Sequence, residues 1–281
     1  MLDLQQNMTK LGHLKPCRER HAVKEAVLTV FAKSPISDFQ KFGELMQSGM
    51  STYFKKFEVV NQAQFSISID NKSAPNFNST PLTENGFKFL DIEDGKTVRV
   101  FQGLNEDGRS YFSFHELNYT RWNNFRETFE SCIKQLQKVK DNIEVSAYSL
   151  HVIDEFDWTD SSPIPYNEIF RLNNKLIPTL FTESETVDFL LSRNIPGSKE
   201  SNSNGIERIQ VLGQSTRSAV GSKLVISHNL TEVLNDAEDV FPLIQAPSFT
   251  SIVNKAHELN KAMIKDLLNE EVLGIIEFNK H

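Results

Sequence analysis

Residues 61–70 (NQAQFSISID) alternate strictly, with Ala63, Phe65, Ile67 and Ile69 on one side and Gln62, Gln64, Ser66 and Ser68 on the other. Such alternation puts one face of a strand in a core and the other in water, as in an antiparallel sheet covered on one side. Residues 21–32 (HAVKEAVLTVFA) are rich in β-branched side chains and predict another strand. Ser34-Pro35 ends it. Ser37 and Gln40 then form a capping box before a helix striped by Phe39, Phe42, Met46, Met50, Tyr53 and Phe54. More strands are expected through 86–117, broken by the hairpin signals Asp94-Gly95 and Asp107-Gly108, with Phe112 and Phe114 sharing a face.

A long helix is expected from about Thr120 to Lys140, with Trp122, Phe125, Phe129, Ile133, Leu136 and Val139 as its stripe. Residues 143–158 predict a strand with Tyr148, Leu150, Val152, Phe156 and Trp158 on one side and His151 and Ile153 on the other. After Pro163 and Pro165, helices are expected over Tyr166–Phe170 and 183–193, the second opened by a Thr182/Glu185 capping box. Strands near 206–213 and 219–229 follow. A closing helix over 249–273 carries Ile252, Val253, Ala256, Leu259, Met263, Leu267 and Leu268.

The order strand, helix, strands, long helix thus occurs twice. It points to an α+β fold: antiparallel sheets with long helices packed on one face, in halves 21–142 and 143–281 after a polar lead-in of residues 1–20. One compact unit is expected.

Composition narrows the function. Thirty basic residues against 37 acidic give a net charge of -7, which argues against direct nucleic-acid binding and a polybasic membrane anchor. No apolar run approaches the length of a membrane span, the N-terminus lacks a signal-peptide core, and two cysteines suit a reducing compartment. A cytoplasmic location is therefore expected. Phe outnumbers Gly by 21 to 12, so the core should be aromatic. Neither GxGxxG nor GxxxxGK[ST] occurs, and no cofactor is expected.

The chemistry-bearing residues are scattered. His13, Cys17 and His21 have zinc-ligand types at four-residue spacing, but Pro16 interrupts them and no fourth ligand completes a site. His257-Glu258 starts like HExxH, yet the fifth position is Lys261, so the second metal-binding His is missing; a surface pair is expected. Asp91, Glu93, Asp94 and Lys96 fit a hairpin turn better than a nuclease centre. Cys132 lies at the edge of a helix stripe, where a thiol is packing, and no Ser has a GxSxG setting. Tyr111, Phe112, Phe114 and Trp122 could stack bases, but without a basic groove core packing explains them.

The densest group of acid–base or metal ligands is His151, Asp154, Glu155, Asp157 and Asp160. On a strand, Glu155 and Asp157 share a face with His151 while Asp154 points the other way. Carboxylates gather like this around Mg²⁺ in hydrolases, and also where a strand leaves a core for solvent.

Pro16, Glu25-Ala26-Val27, Gly86-Phe87-Lys88-Phe89 and Tyr111-Phe112-Ser113-Phe114 set out a pattern along the chain. With Tyr119-Thr120-Arg121-Trp122-Asn123-Asn124-Phe125 and Ala256-His257-Glu258, it resembles a sporadically distributed family of uncharacterised bacterial proteins of about this length. The resemblance implies no activity and no catalytic residues. Its sporadic distribution implies mobile genes of the toxin–antitoxin or phage-defence kind.

The expected function is a non-enzymatic protein-binding module, the regulatory or accessory member of such a system, whose partner is encoded nearby and is basic. The alternative is a metal-dependent hydrolase or nuclease built on His151, Asp154, Glu155 and Asp157. A third reading is a small-ligand sensor with a Phe-lined pocket between sheet and helices. Oligomeric state is open.

Overall fold

The alternation seen in the sequence builds one extended antiparallel sheet. The computed structural model describes residues 10–19, 21–62, 65–68, 76–79, 83–106, 108–139, 143–171, 175–178, 186–195, 203–214, 222–240 and 247–278. In chain order the elements are β1 (Leu14–Pro16), β2 (Val23–Ala32), α1 (Phe39–Met50), β3 (Lys56–Gln62), β4 (Phe65–Ser68), β5 (Asn76–Ser79), β6 (Thr83–Glu93), β7 (Lys96–Glu106), β8 (Arg109–Glu116), α2 (Trp122–Lys134), β9 (Glu144–Trp158), α3 (Tyr166–Ile169), β10 (Val187–Ile195), β11 (Ser203–Gln214), β12 (Ser222–Asp239), α4 (Pro247–Leu267) and α5 (Glu270–Ile275). The sheet order is β10-β11-β12-β9-β2-β8-β7-β6-β3, with β1 also paired to β9, while β4 and β5 form a separate hairpin. The fold is α+β on a large antiparallel sheet.

β8, β7, β6 and β3 lie to one side of the central β2–β9 pair and β12, β11 and β10 to the other. Along β2, Ala26, Leu28, Val30 and Ala32 are buried, with Leu28 opposite Phe114 and Val30 opposite Phe112 of β8. They pack beneath Phe39, Phe42 and Met46 of α1 and Phe125, Phe129 and Ile133 of α2. Phe39, Phe42, Phe87 and Phe112 form the aromatic centre, with ring centroids 5.7–6.5 Å apart, a spacing at which tilted rings attract beyond their area burial. Gly43 makes this possible, since a Cβ there would lie 2.7 Å from Phe57 and 2.9 Å from Phe87. A second cluster joins Phe156, Trp158, Ile209, Val211, Leu224 and Ile226 to Tyr166, Phe170, Leu267 and Leu268.

Several local expectations need correction. Asp38, not Ser37, caps α1: it sits at φ 60° and its carboxylate accepts from the Lys41 N–H at 3.3 Å. Residues 187–195 form edge strand β10 where a helix was expected. Val187, Phe189 and Leu191 alternate at period two, and pairing with β11 from Val187↔Gly213 to Ile195↔Gly205 outweighs the helical reading. Residues 183–185 lie outside the described residues. Within the expected polar lead-in, residues 10–13 make a 3₁₀ turn before β1, and Leu11 and Leu14 are buried in the second cluster. The closing helix is two helices, because Asn269 starts α5 by accepting from the Val272 N–H at 2.8 Å. The alternating stretch 61–70 is divided between β3 and β4, with residues 63–64 and 69–70 outside the described residues. Among the described residues no helix is long and apolar enough to cross a membrane.

Candidate functional site

On β9, a carboxyl stands between Val152 and Phe156 on the side where its neighbours enter the core. Asp154 is 6% exposed and carries no hydrogen bond or ion pair among the described residues. It pairs through its backbone with Val23 of β2 and Ile226 of β12, so it occupies the middle of the sheet. Above it, the start of α2 and the middle of α4 stand clear of the strands and leave a cavity of about 700 Å³. Val23, Ala26, Val152 and Asp154 form its floor. Tyr119, Arg121 and Trp122 line one wall, and Asn254, His257, Asn260 and Lys261 line the other. Ile276 and Phe278 close an end. The volume is that of a small-molecule site.

Burial shifts Asp154, Tyr119 and His257. With no partner to stabilise its charge, the Asp154 carboxyl is pushed up to about 7. Burial raises the Tyr119 phenol, and the nearby charges of Asp154 and Glu116 raise it further. His257 is driven down to about 4 by burial, so it is a neutral ring at physiological pH. It stacks flat on Trp122, with centroids 4.2 Å apart and planes 2° from parallel. The Trp122 indole N–H donates to Asn254 Oδ1 at 2.7 Å. Indole can only donate, so the Asn254 oxygen is committed and its Nδ2 faces no acceptor among the described residues.

Asn260 is fixed from behind. Its Oδ1 lies 2.9 Å from His228 Nδ1, and His228 Nε2 lies 3.1 Å from Glu207 Oε1. The second Glu207 oxygen accepts from Arg193. His228 and Glu207 are both buried, and the hydrogen bond from His228 holds the Glu207 carboxyl below the usual carboxylate range. This chain of contacts ties α4 to β12, β11 and β10.

The structure divides the sequence-derived cluster. Asp154 faces the cavity, whereas His151, Glu155 and Asp157 lie on the opposite face. His151 Nε2 is 2.7 Å from Ser227 Oγ, and burial lowers its pKa. Glu155 is held at 2.5 Å by Lys24 and 2.7 Å by Lys223; burial would raise its carboxyl, but those two bonds outweigh it and keep it low. Asp157 is 3.6 Å from Lys223, and Asp160 turns back on Ser161 and Ser162. Among the described residues no three His, Cys, Asp or Glu side chains are grouped to hold a metal ion.

The other candidates are also dispersed. His13 packs on Trp158, the Cys17 thiol donates to the Ala22 carbonyl, and His21 meets the Tyr119 ring edge-on. Asp91 pairs with Lys55 and Arg99, while Asp94 and Gly95 make the hairpin turn at φ 50° and 75°. Cys132, Phe112 and Phe114 are core residues. Glu258 is exposed as expected, whereas His257, also expected at the surface, is largely buried in the cavity wall.

Two arrangements were not anticipated. Ser113 Oγ, His115 Nε2, His115 Nδ1 and Glu25 Oε1 connect at 2.9 and 2.7 Å in the order of a hydrolase triad. Ser113 is only 2% exposed and also accepts from Gln102, so the set braces β2, β7 and β8 and leaves its hydroxyl closed to a substrate. The other is the cavity itself. Its signal was the polar series Asn254, His257, Asn260 and Lys261 at helical spacing beside the apolar stripe.

Compared with models of protein families and with curated protein sequences, the chain matches none.

Proposed function

We propose that the chain is a cytoplasmic binding protein that takes a small ligand between β9 and helices α2 and α4, in a regulatory rather than a catalytic role. One observation carries the reading: Asp154 is buried and, among the described residues, unpartnered at the floor of a cavity large enough for a metabolite. A buried polar group left without a partner is unfavourable by several kcal/mol, so a chain that keeps one has a use for it. The walls support binding over chemistry. Trp122 is braced by His257 and Asn254 within the lining, and Asn260 is held from behind by His228, which suits recognition by a preformed surface.

The test is to equilibrate purified protein with a small-molecule cell extract, follow the melting temperature, and identify retained compounds by native mass spectrometry. A retained compound that raises Tm in the wild type but not in Asp154→Asn is the expected result. Failure to retain any compound counts against the reading.

A partner protein is the second reading, with the chain as regulatory member of a mobile toxin–antitoxin or defence module. It is favoured by the polar sheet face bearing His151, Ser227 and Asn229 and by the net charge of -7, which suits a basic partner. In this arrangement helices would cover one face of the sheet and the partner would meet the other, the two halves repeating the same order about the β2–β9 pair. Co-purification with its genomic neighbours tests it, and a lone monomer speaks against it.

A further inference from the structure

We propose that the ligand is a small organic ammonium compound, with its cationic nitrogen on Asp154 and a flat portion against the wall formed by Tyr119 and Trp122; this rests on the cavity being a ligand site. An ionised carboxylate only accepts hydrogen bonds, so its complement is a donor, and the strongest donor is a cation. Among the described residues no cation pairs with it. Lys261 and Arg121 line the same cavity, yet neither pairs with Asp154; Lys261 lies 5.9 Å from the centre of the Phe278 ring.

The alternatives fit less well. An anion would meet Asp154 at the floor, where burial strengthens repulsion. A metal ion lacks donors, since no three His, Cys, Asp or Glu side chains converge among the described residues. A wholly apolar ligand would leave the carboxyl as unpartnered as it is without one.

The walls refine the class. Asn254 presents an amide N–H₂ whose oxygen is already taken by the Trp122 indole, so the ligand carries an acceptor as well as its charge. The face of an indole or phenol ring favours a cation beside it. An arylalkyl amine bearing a hydroxyl, carbonyl or carboxylate meets all three demands.

The chain has two tryptophans, Trp122 in the cavity wall and Trp158 in the second core cluster. Their indole N–H resonances, assigned with Trp122→Phe and Trp158→Phe variants, therefore report cavity occupancy against a control. A library of primary amines, carboxylates and neutral fragments of matched size is titrated into wild type and Asp154→Asn. Amines are expected to move the Trp122 signal alone, and Asp154→Asn to weaken them by roughly tenfold or more. If carboxylates or neutral fragments move Trp122 as strongly as amines do, or amines bind Asp154→Asn equally well, the ammonium assignment is wrong while the cavity remains a ligand site. If no fragment moves Trp122, both fall.

Discussion

Replacing Asp154 with Asn should make the protein more stable at neutral and alkaline pH. Burial carries the Asp154 carboxyl from the ordinary 3.8 to about 7, and each unit of difference between folded and unfolded chain is worth about 1.4 kcal/mol. The folded chain holds this proton more tightly than the unfolded chain. The contribution of Asp154 to stability is therefore greatest below pH 3.8, declines as pH rises toward about 7, and is flat beyond, with about 4 kcal/mol lost in all. Asparagine stays neutral throughout, but its amide in the same place has unmet hydrogen bonds worth about 1–3 kcal/mol. The expected net gain for Asp154→Asn is about 1–3 kcal/mol at about pH 8, vanishing or reversing near pH 4. Urea unfolding of both proteins across that range, followed by circular dichroism, measures it. A variant less stable than wild type at about pH 8, or a difference that does not change with pH, would refute the reasoning. Where the gain appears together with lost ligand binding, the wild type is shown to trade stability for the site.

His257 has the opposite sign: its ring is held down at about 4 from 6.5, so stability present above 6.5 is lost as pH falls toward 4, by up to about 3 kcal/mol. His257→Phe keeps a flat partner for Trp122 and should lack this acid sensitivity in urea titrations at graded pH. Gly43→Ala should destabilise the fold by about 1–3 kcal/mol through overpacking against Phe57 and Phe87, read as a lower urea midpoint at unchanged slope. Cys132 is fully buried with its thiol pKa raised by that burial, so a disulfide reagent should modify the half-buried Cys17 first and reach Cys132 only on unfolding. Comparable early reaction of both thiols, seen by intact mass, would contradict the packing of α2.

What could be read in advance was what depends on near neighbours. The alternation through 143–158 placed Asp154 with Val152 and Phe156 and set His151, Glu155 and Asp157 opposite, as the structure has them. Asp94-Gly95 specified its turn through two positive φ angles. Residues 187–195 misled because VDFLLSR satisfies a helical stripe as well as a strand, and only the β11 backbone decides between them. The cavity was out of reach for another reason. Asp154, Trp122 and His257 are far apart in the chain, and no local pattern says that two helices will stand clear of one sheet position. Glu207 and His228 were readable in principle, each falling at an inward position of an otherwise apolar alternation along 205–211 and 224–230.

The β2–β9 pairing has a consequence for how the molecule assembles. Most other neighbours in the sheet are joined by hairpins or short connections, so β6–β7–β8 and β10–β11–β12 can form from contacts close in sequence. The β2–β9 ladder joins Leu28 to Leu150, across more than a hundred residues, and carries the loop-closure entropy that delays such contacts. The cavity floor straddles this seam: Val23 and Ala26 come from β2, Val152 and Asp154 from β9. Neither meander alone can contain the site. It comes into being only when this seam closes, so occupancy would report the joining of β2 to β9, and a ligand would act as a clasp on that joint.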